Sequence, residues 1–292
     1  MSRDLDWRRD GPAWPNHEAS RFVRAAGLDW HVQEAGAGPV LLLAHGTGAS
    51  THSWRDLLPE LARHFRVVAP DLPGHGFTTR PPMWRMSLAG MAADLTALID
   101  ALPVRPDVVI GHSAGAAILC RAVLDGGMAP RGIVSLNGAL LAFRGLAGHV
   151  FSPLAKVLAG NPVAAHIAAR LATRRSVERL LVDTGSELDP RGVDLYWRLV
   201  QSPAHVGAAL GMMANWDLER FERDLAGLTV PLLLVVGGSD RAIPPESAEK
   251  VRRIVRAVRI EAMRGLGHLA HEEQPGRNAT VIADFASELG LL

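Results

Sequence analysis

Asp107-Val-Val-Ile-Gly-His-Ser-Ala-Gly-Ala-Ala-Ile-Leu-Cys-Arg-Ala-Val-Leu124 is the stretch whose reading decides the fold. Asp107–Ile110 reads as a short buried strand, and Ala114–Leu124 follows it with helical spacing. Between them Gly111-His112-Ser113-Ala114-Gly115 matches G-x-S-x-G. The pattern alone is weak, since a chain of this length and composition meets it by chance roughly 0.15 times. A strand directly before it and a helix directly after it change its weight. Such a turn crowds the backbone around its central residue, so glycines flank it and the serine oxygen stands out at the edge of a sheet. The serine also lies at a helix N-terminus, where amide N–H groups favour developing negative charge.

Working outward, the same rhythm extends both ways. Upstream, Val40–Ala44 is a wholly apolar run expected of a strand covered on both faces. Trp54–His64 has helical spacing, Arg66–Ala69 reads as a strand, and Ser87–Ala101 as a helix capped by Ser87. Arg21–Arg24 and Leu28–Gln33 around Ala26-Gly27 predict a hairpin, and residues 1–18 an irregular arm. Downstream, Gly132–Leu136 is again a strand. From about Gly138 to Leu228 only helical patterns occur. Alternation resumes with Pro231–Val236 (strand), Glu246–Val255 (helix), Val258–Ala262 (strand) and Arg277–Leu289 (helix). This predicts an α/β fold with a mostly parallel sheet joined by right-handed crossovers. Residues 1–137 and 229–292 form its core, and 138–228 a helical cap.

The 292 residues are 48% hydrophobic and 21% charged, with a net charge of +1, so no overall field draws in nucleic acid and no nucleic-acid partner is expected. Only Lys156 and Lys250 among 31 basic residues are lysines, a bias that reads as GC-rich coding rather than function. The single cysteine, Cys120, excludes an internal disulfide and reads as a small buried filler, which fits a reducing, cytoplasmic setting. The N-terminus has no apolar signal-like core, and no run of about 18 uncharged apolar residues follows, leaving at most peripheral membrane contact.

A serine hydroxyl needs a base, and the base an orienting acid. The candidate base is His268 in Gly265-Leu-Gly-His268-Leu-Ala-His271-Glu-Glu, just past the last strand; the glycines allow its ring to reach across to the elbow. His271 competes for the role, but reads as the start of the next helix. A metal reading of His268-x-x-His271-Glu272 lacks a third ligand in order and does not match H-E-x-x-H. Asp240, in Gly237-Gly-Ser-Asp240-Arg, follows an apolar strand and points to the same rim; turn-making or helix capping is its alternative. The other place for an acid, after Gly132–Leu136, holds neutral Asn137. In His45-Gly46-Thr47-Gly48 the glycines let the backbone approach an oxyanion, which the N–H groups of Thr47 and Ala114 would bind. His45, His112, Met212 and Trp216 are candidate substrate-binding residues. His45 also reads as a structural hydrogen-bonder, and Met212, Trp197 and Trp216 as core packing. The Asp and His of Asp71-Leu-Pro-Gly-His-Gly76 read as architecture.

Taken together, His-Gly-x-Gly at 45–48, Asp-x-x-Gly-x-Gly at 71–76, the elbow at 111–115, Asp240 and Gly-His at 267–268 resemble the α/β-hydrolase superfamily over residues 20–290. The resemblance implies an eight-stranded sheet, a cap inserted after the sixth strand, and hydrolysis without cofactor or metal. Trp14-Pro15, Ser20-Arg-Phe-Val23, His45–Arg55, Ser135-Leu-Asn-Gly-Ala-Leu140 and Met212-Met-Ala-Asn-Trp-Asp217 look more specifically like the BchO group, described as magnesium-chelatase accessory proteins of bacteriochlorophyll gene clusters. That likeness implies a role near magnesium insertion into protoporphyrin, with a tetrapyrrole-related substrate and an association with magnesium chelatase. Ala44, where an aliphatic Leu is common, is a minor departure.

In the cap, Arg144, Lys156, Arg170, Arg174, Arg175 and Arg179 face a single acid, Glu178, over residues 139–182, with apolar residues (Leu140, Leu141, Phe143, Val150, Phe151, Leu154, Val157, Leu158) interleaved. Solvated helix faces, a site for an anionic apolar ligand, and docking to an anionic membrane or partner all fit this pattern. Two functions therefore stand: a serine hydrolase cleaving a small-molecule ester, or a non-catalytic accessory protein binding a tetrapyrrole. No G-x-x-x-x-G-K-[ST] occurs, which sets aside an ATP-driven motor, and haloalkane dehalogenation would want Asp at 113.

Overall fold

The computed structural model describes residues 3–142 and 162–292. Its centre is an eight-stranded sheet: β1 (Ser20–Ala25), β2 (Leu28–Ala35), β3 (Val40–Ala44), β4 (Arg66–Pro70), β5 (Val108–His112), β6 (Gly132–Leu136), β7 (Leu232–Gly237) and β8 (Val258–Met263). The spatial order is β1-β2-β4-β3-β5-β6-β7-β8. β1 and β2 are the expected hairpin, β2 runs antiparallel to β4, and every later pair is parallel. The apolar runs explain the layering. Leu41 and Leu43 pack with Val108, Ile110, Val134, Leu233, Val235, Ile282 and Phe285 on one face. Leu42, Ala44 and Val109 pack with Met91, Leu95, Ile118 and Leu119 on the other. Both faces are covered by helix, so the central strands carry no polar side.

Ser87 caps the helix Leu88–Ala101 by accepting from Gly90 N, as its sequence predicts. Two expectations change. Trp54–His64 is not one helix but a 3-10 turn (Thr51–Trp54) and a five-residue helix (Leu57–Leu61). Pro59 is the cause: a helix running from Trp54 would need its missing N–H. The arm is also more ordered than its composition predicts. Asp6 caps a short helix over Trp7–Asp10, Trp7 packs its ring on Phe22, His31 and Phe77, and buried Trp14 donates Nε1–H to Thr51 Oγ1 at 3.2 Å.

Between β6 and β7 the described residues form five helices and no strand: Pro162–Leu171, Arg174–Asp183, Pro190–Val200, Pro203–Ala214 and Leu218–Asp224. Arg144, Lys156 and the apolar residues named from Phe143 to Leu158 lie outside the described residues. Of the remaining basic residues there, Arg174 pairs with Asp194 and Glu178, and Arg170, Arg175 and Arg179 are exposed. No described helix is long and apolar enough to cross a membrane. Cys120 is fully buried, and burial pushes its thiol up to about 12, so it carries no thiolate chemistry.

Beneath the C-terminal edge of the sheet sit six buried histidines: His45, His52, His75, His112, His205 and His271. Burial disfavours the imidazolium and lowers the pKa of each, to about 4 for His205 and about 3 for His271. The unfolded chain therefore takes up protons first as pH falls below about 6.5, and stability must drop from there downward. For His205 the loss continues to about pH 4 and for His271 to about pH 3. Each ring contributes up to about 1.4 kcal/mol per pH unit. Urea unfolding at intervals between about pH 7 and pH 4.5 should show the midpoint falling steeply, and a flat profile would mean that these rings are charged in the fold.

Candidate active site

β5 ends at His112, and the next residue, Ser113, takes φ 51° and ψ −118° before the helix Ala114–Leu124 begins. Three backbone hydrogen bonds hold it there: Ser113 N to Leu136 O (3.0 Å), Ala139 N to Ser113 O (3.0 Å) and Ala116 N to Ser113 O (3.2 Å). The flanking glycines are required by space. A Cβ at 111 would stand 2.3 Å from Ala116 N, and one at 115 would stand 2.1 Å from Ala44 O. The strained turn leaves Ser113 partly exposed at the sheet's edge, over the helix N-terminus.

Past β7, the Asp240 carboxylate is fully engaged. Its Oδ1 accepts from Ala242 N (2.8 Å) and Ile243 N (2.9 Å), and its Oδ2 from Asn137 Nδ2 (2.7 Å). Oδ2 also lies 2.8 Å from His268 Nδ1. Because both Asp240 oxygens accept from N–H groups, Nδ1 is the donor of this bond and Nε2 is left as an acceptor. The loop carrying His268 is pinned by Gly267 N to Glu273 Oε1 (2.9 Å), Leu269 N to Ser186 Oγ (2.9 Å) and His112 Nε2 to His268 O (3.0 Å). Among the described residues neither Ser113 Oγ nor His268 Nε2 has a hydrogen-bond partner. Such contacts are often long in a ligand-free site and tighten around substrate.

On the other side, a Cβ at Gly46 would stand 3.0 Å from Ser113 Cβ, so the 45–48 loop lies directly against the serine. The amides of Thr47 and Ala114 donate to no described residue and remain available to an oxyanion. Met212 reaches this loop, with Thr47 Oγ1 donating to its sulfur at 3.4 Å, and is itself fully buried. Trp216 is half-buried against the core. The sequence reading also put His45 and His112 at the substrate. The structure places both rings beneath the site, where backbone groups occupy them. His45 Nε2 accepts from Leu72 N and its Nδ1 faces Gly46 O, both at 2.8 Å. His112 lies under His268, ring centroids 4.8 Å apart.

A family model described as "alpha/beta hydrolase fold" matches residues 39–275. The chain belongs to the α/β-hydrolase fold family. It is 41% identical over 275 residues to the magnesium-chelatase 30 kDa subunit of Rhodobacter capsulatus, covering 93% of this chain and 96% of that protein. It is 26% identical over 279 residues to 2-hydroxy-6-oxo-2,4-heptadienoate hydrolase of Pseudomonas putida, covering 92% and 97%. Among solved structures, the epoxide hydrolase CorEH superposes with a TM-score of 0.79 at 23% identity, covering 92% and 99% of the two chains. At that identity the likeness shows the fold.

Several residues that support this α/β-hydrolase site escape sequence reasoning. Asn137, discounted as a neutral stand-in for an acid, holds the Asp240 carboxylate in place. Ser186, between two helices of the segment that follows β6, holds the backbone next to His268. Glu272 lies four residues after His268 and is buried between Arg55, which contacts its Oε2, and Tyr196, whose hydroxyl donates to Oε1 at 2.7 Å. Burial raises the Glu272 carboxyl to about 7 against the opposing pull of Arg55 and Tyr196. This pair ties the loop after β3, the insertion helix Pro190–Val200 and the His268 segment together. Replacing Glu272 with Gln leaves the buried Arg55 guanidinium only the exposed carboxylates of Asp56 (3.2 Å) and Asp189 (3.7 Å), and should cost about 1–3 kcal/mol, read as a lower urea midpoint. The double change Arg55→Met with Glu272→Met should lose less than Glu272→Gln alone; a larger loss would mean that the pair itself is the stabilising element.

Proposed function

We propose that the protein is a serine hydrolase that cleaves an ester through an acyl-enzyme, with Ser113 as nucleophile, His268 as base, Asp240 as the orienting acid and the amides of Thr47 and Ala114 as the oxyanion hole. The observation that carries this reading is the Asp240–His268 hydrogen bond of 2.8 Å beside a serine held in a strained elbow. Ser113 Oγ attacks the carbonyl carbon while His268 Nε2 takes its proton, and the developing alkoxide is met by the two amides. His268 then returns the proton to the leaving oxygen, and a water activated by the same ring releases the acid. Asp240 holds the neutral imidazole in the useful tautomer and stabilises the imidazolium when it forms. Each oxyanion donor contributes about 3–4 kcal/mol in the transition state. Residues 138–228 act as the cap of this site, and the cytosol is its setting.

A cavity of about 550 Å3 opens behind Asp240, from Asn137 and Ala139 to the helix Ser247–Ile254. Its floor is apolar (Leu140, Val236, Ile243, Val251), and Arg241, Lys250 and Arg253 stand at it. Of its two carboxylates, Asp240 is engaged by His268 and Glu222 accepts from Ala142 N. Ser113, His268 and Thr47 do not line it, so the cavity adjoins the triad at Asp240 alone, and its basic side chains suit an anionic group held beside the site. The relative named as a magnesium-chelatase subunit supports a tetrapyrrole-related ester as substrate and an association with magnesium chelatase.

That same relative favours a second reading, in which the cleft binds a tetrapyrrole or assists the chelatase without chemistry. Exposed Ile167 and Leu171, beside Arg170 on the helix Pro162–Leu171, would offer such a partner an apolar and basic face. A fluorophosphonate probe should label the wild-type protein and not Ser113→Ala; labelling that survives the change removes Ser113 from the role of nucleophile. Asp240→Asn should lower the rate of ester cleavage on the order of 10⁴-fold. Pigment synthesis restored by Ser113→Ala in a deletion strain would favour the second reading.

A further inference from the structure

The insertion helix Pro203–Ala214 sends two side chains, two turns apart on one face, into the loop that would bind the oxyanion. Met212 meets Thr47 Oγ1, as above. His205, 3% exposed, does more. Its Nε2 lies 3.0 Å from Gly48 O, and its Nδ1 accepts from Gly76 N at 3.1 Å. The first must donate and the second must accept, so the neutral ring with its proton on Nε2 is the form that satisfies both. Burial keeps it neutral.

Gly48 takes φ +74°, and its carbonyl lies two peptide planes beyond the Thr47 N–H, so a bond to it limits how the intervening Thr47–Gly48 backbone can turn. Gly76 belongs to the loop after β4, which also takes φ +52°. One imidazole therefore joins two left-handed turns whose own backbones do not bond each other. The helix that carries it is in turn anchored: Ser202 caps it by accepting from His205 N, and Asp4 of the N-terminal arm accepts from Ala204 N at 2.8 Å and Ser202 Oγ at 3.0 Å. A carboxylate at a helix N-terminus is favourably placed.

We propose that His205 is a positioning residue for the oxyanion hole, locking the Thr47–Gly48 backbone so that the Thr47 amide points at the alkoxide formed on Ser113. This rests on the serine-hydrolase reading and adds to it that the helical insertion, together with the core's His45 on Gly46 O, holds half of the oxyanion hole. A donor aimed by a remote side chain acts only where charge develops, so its loss should appear in turnover and not in substrate binding.

The test is steady-state hydrolysis of a p-nitrophenyl ester by the full chain, with rates per active site titrated by the fluorophosphonate. His205→Phe, which fills the space but bonds neither loop, should lower kcat by about 10- to 100-fold and change KM by less than about threefold. His205→Gln, which keeps a donor and an acceptor, should recover kcat to within about fivefold of wild type. Hydrogen exchange should rise in peptides covering residues 45–50 and 74–77 of the Phe variant and stay unchanged around His268. If the Phe variant does not fold, His205→Asn, whose shorter arm cannot span both loops, carries the same kcat expectation. Unchanged kcat in the folded variant, or a loss confined to KM, would overturn the proposal while leaving the hydrolase reading intact. Failure of the wild type itself to hydrolyse any ester or to take the label would instead overturn the reading beneath it.

Discussion

Ser113 sits at a backbone angle that costs a residue with a side chain about 1–3 kcal/mol, and the rest of the structure is arranged around keeping it there. The parallel register of β5 against β6 brings Leu136 and Ala139 to the elbow, where they bond the serine's own N–H and carbonyl. Two glycines remove the atoms that would collide with Ala116 N and Ala44 O. The strain turns the hydroxyl out of the sheet and brings the first amide of the following helix beside it. Relaxing that angle would bury the oxygen and turn the helix end away, so the elbow is the condition for everything built on either side of it.

On those two sides the same residue type does opposite work. His268 lies against a carboxylate that three other contacts hold in place, and is left with one free nitrogen. The histidines packed around it are buried and make no close carboxylate bond of this kind. Burial keeps His45, His112 and His205 neutral, and each satisfies backbone groups that no regular element reaches. Asp71 shows the converse: burial alone would raise it, but the His31 ring against it and the amides of Thr51 and Phe77 hold it well below the usual carboxylate range, so it is a permanent brace. Environment, rather than identity, separates the reacting groups from the supporting ones.

The sheet and the three side chains proposed to react were legible because they leave local marks. Buried parallel strands read as unbroken apolar runs, and each reacting residue stands beside the glycines that its tight turn demands. The supports left no such mark. Asn137, Ser186, His205 and Glu272 act through contacts with segments 76 or more residues away in sequence, and no spacing pattern encodes a contact of that kind. Asn137 was legible as a residue and misjudged in role, because an amide that cannot replace an acid can still hold one. The arm was misjudged by composition. Asp4, Trp7 and Trp14 look like a polar, irregular stretch until the surfaces they dock on exist. Pro59 could have been weighed: it forbids the helix that the apolar spacing from Trp54 suggests.

A crystal structure of the protein after reaction with a fluorophosphonate tests the central claim most directly. The account predicts phosphorus on Ser113 Oγ, a phosphoryl oxygen between the amides of Thr47 and Ala114 at about 2.7–3.1 Å from each, and His268 Nε2 turned toward the adduct with its bond to Asp240 intact. An adduct on another side chain, or an oxygen pointing away from both amides with the imidazole out of reach, would contradict it.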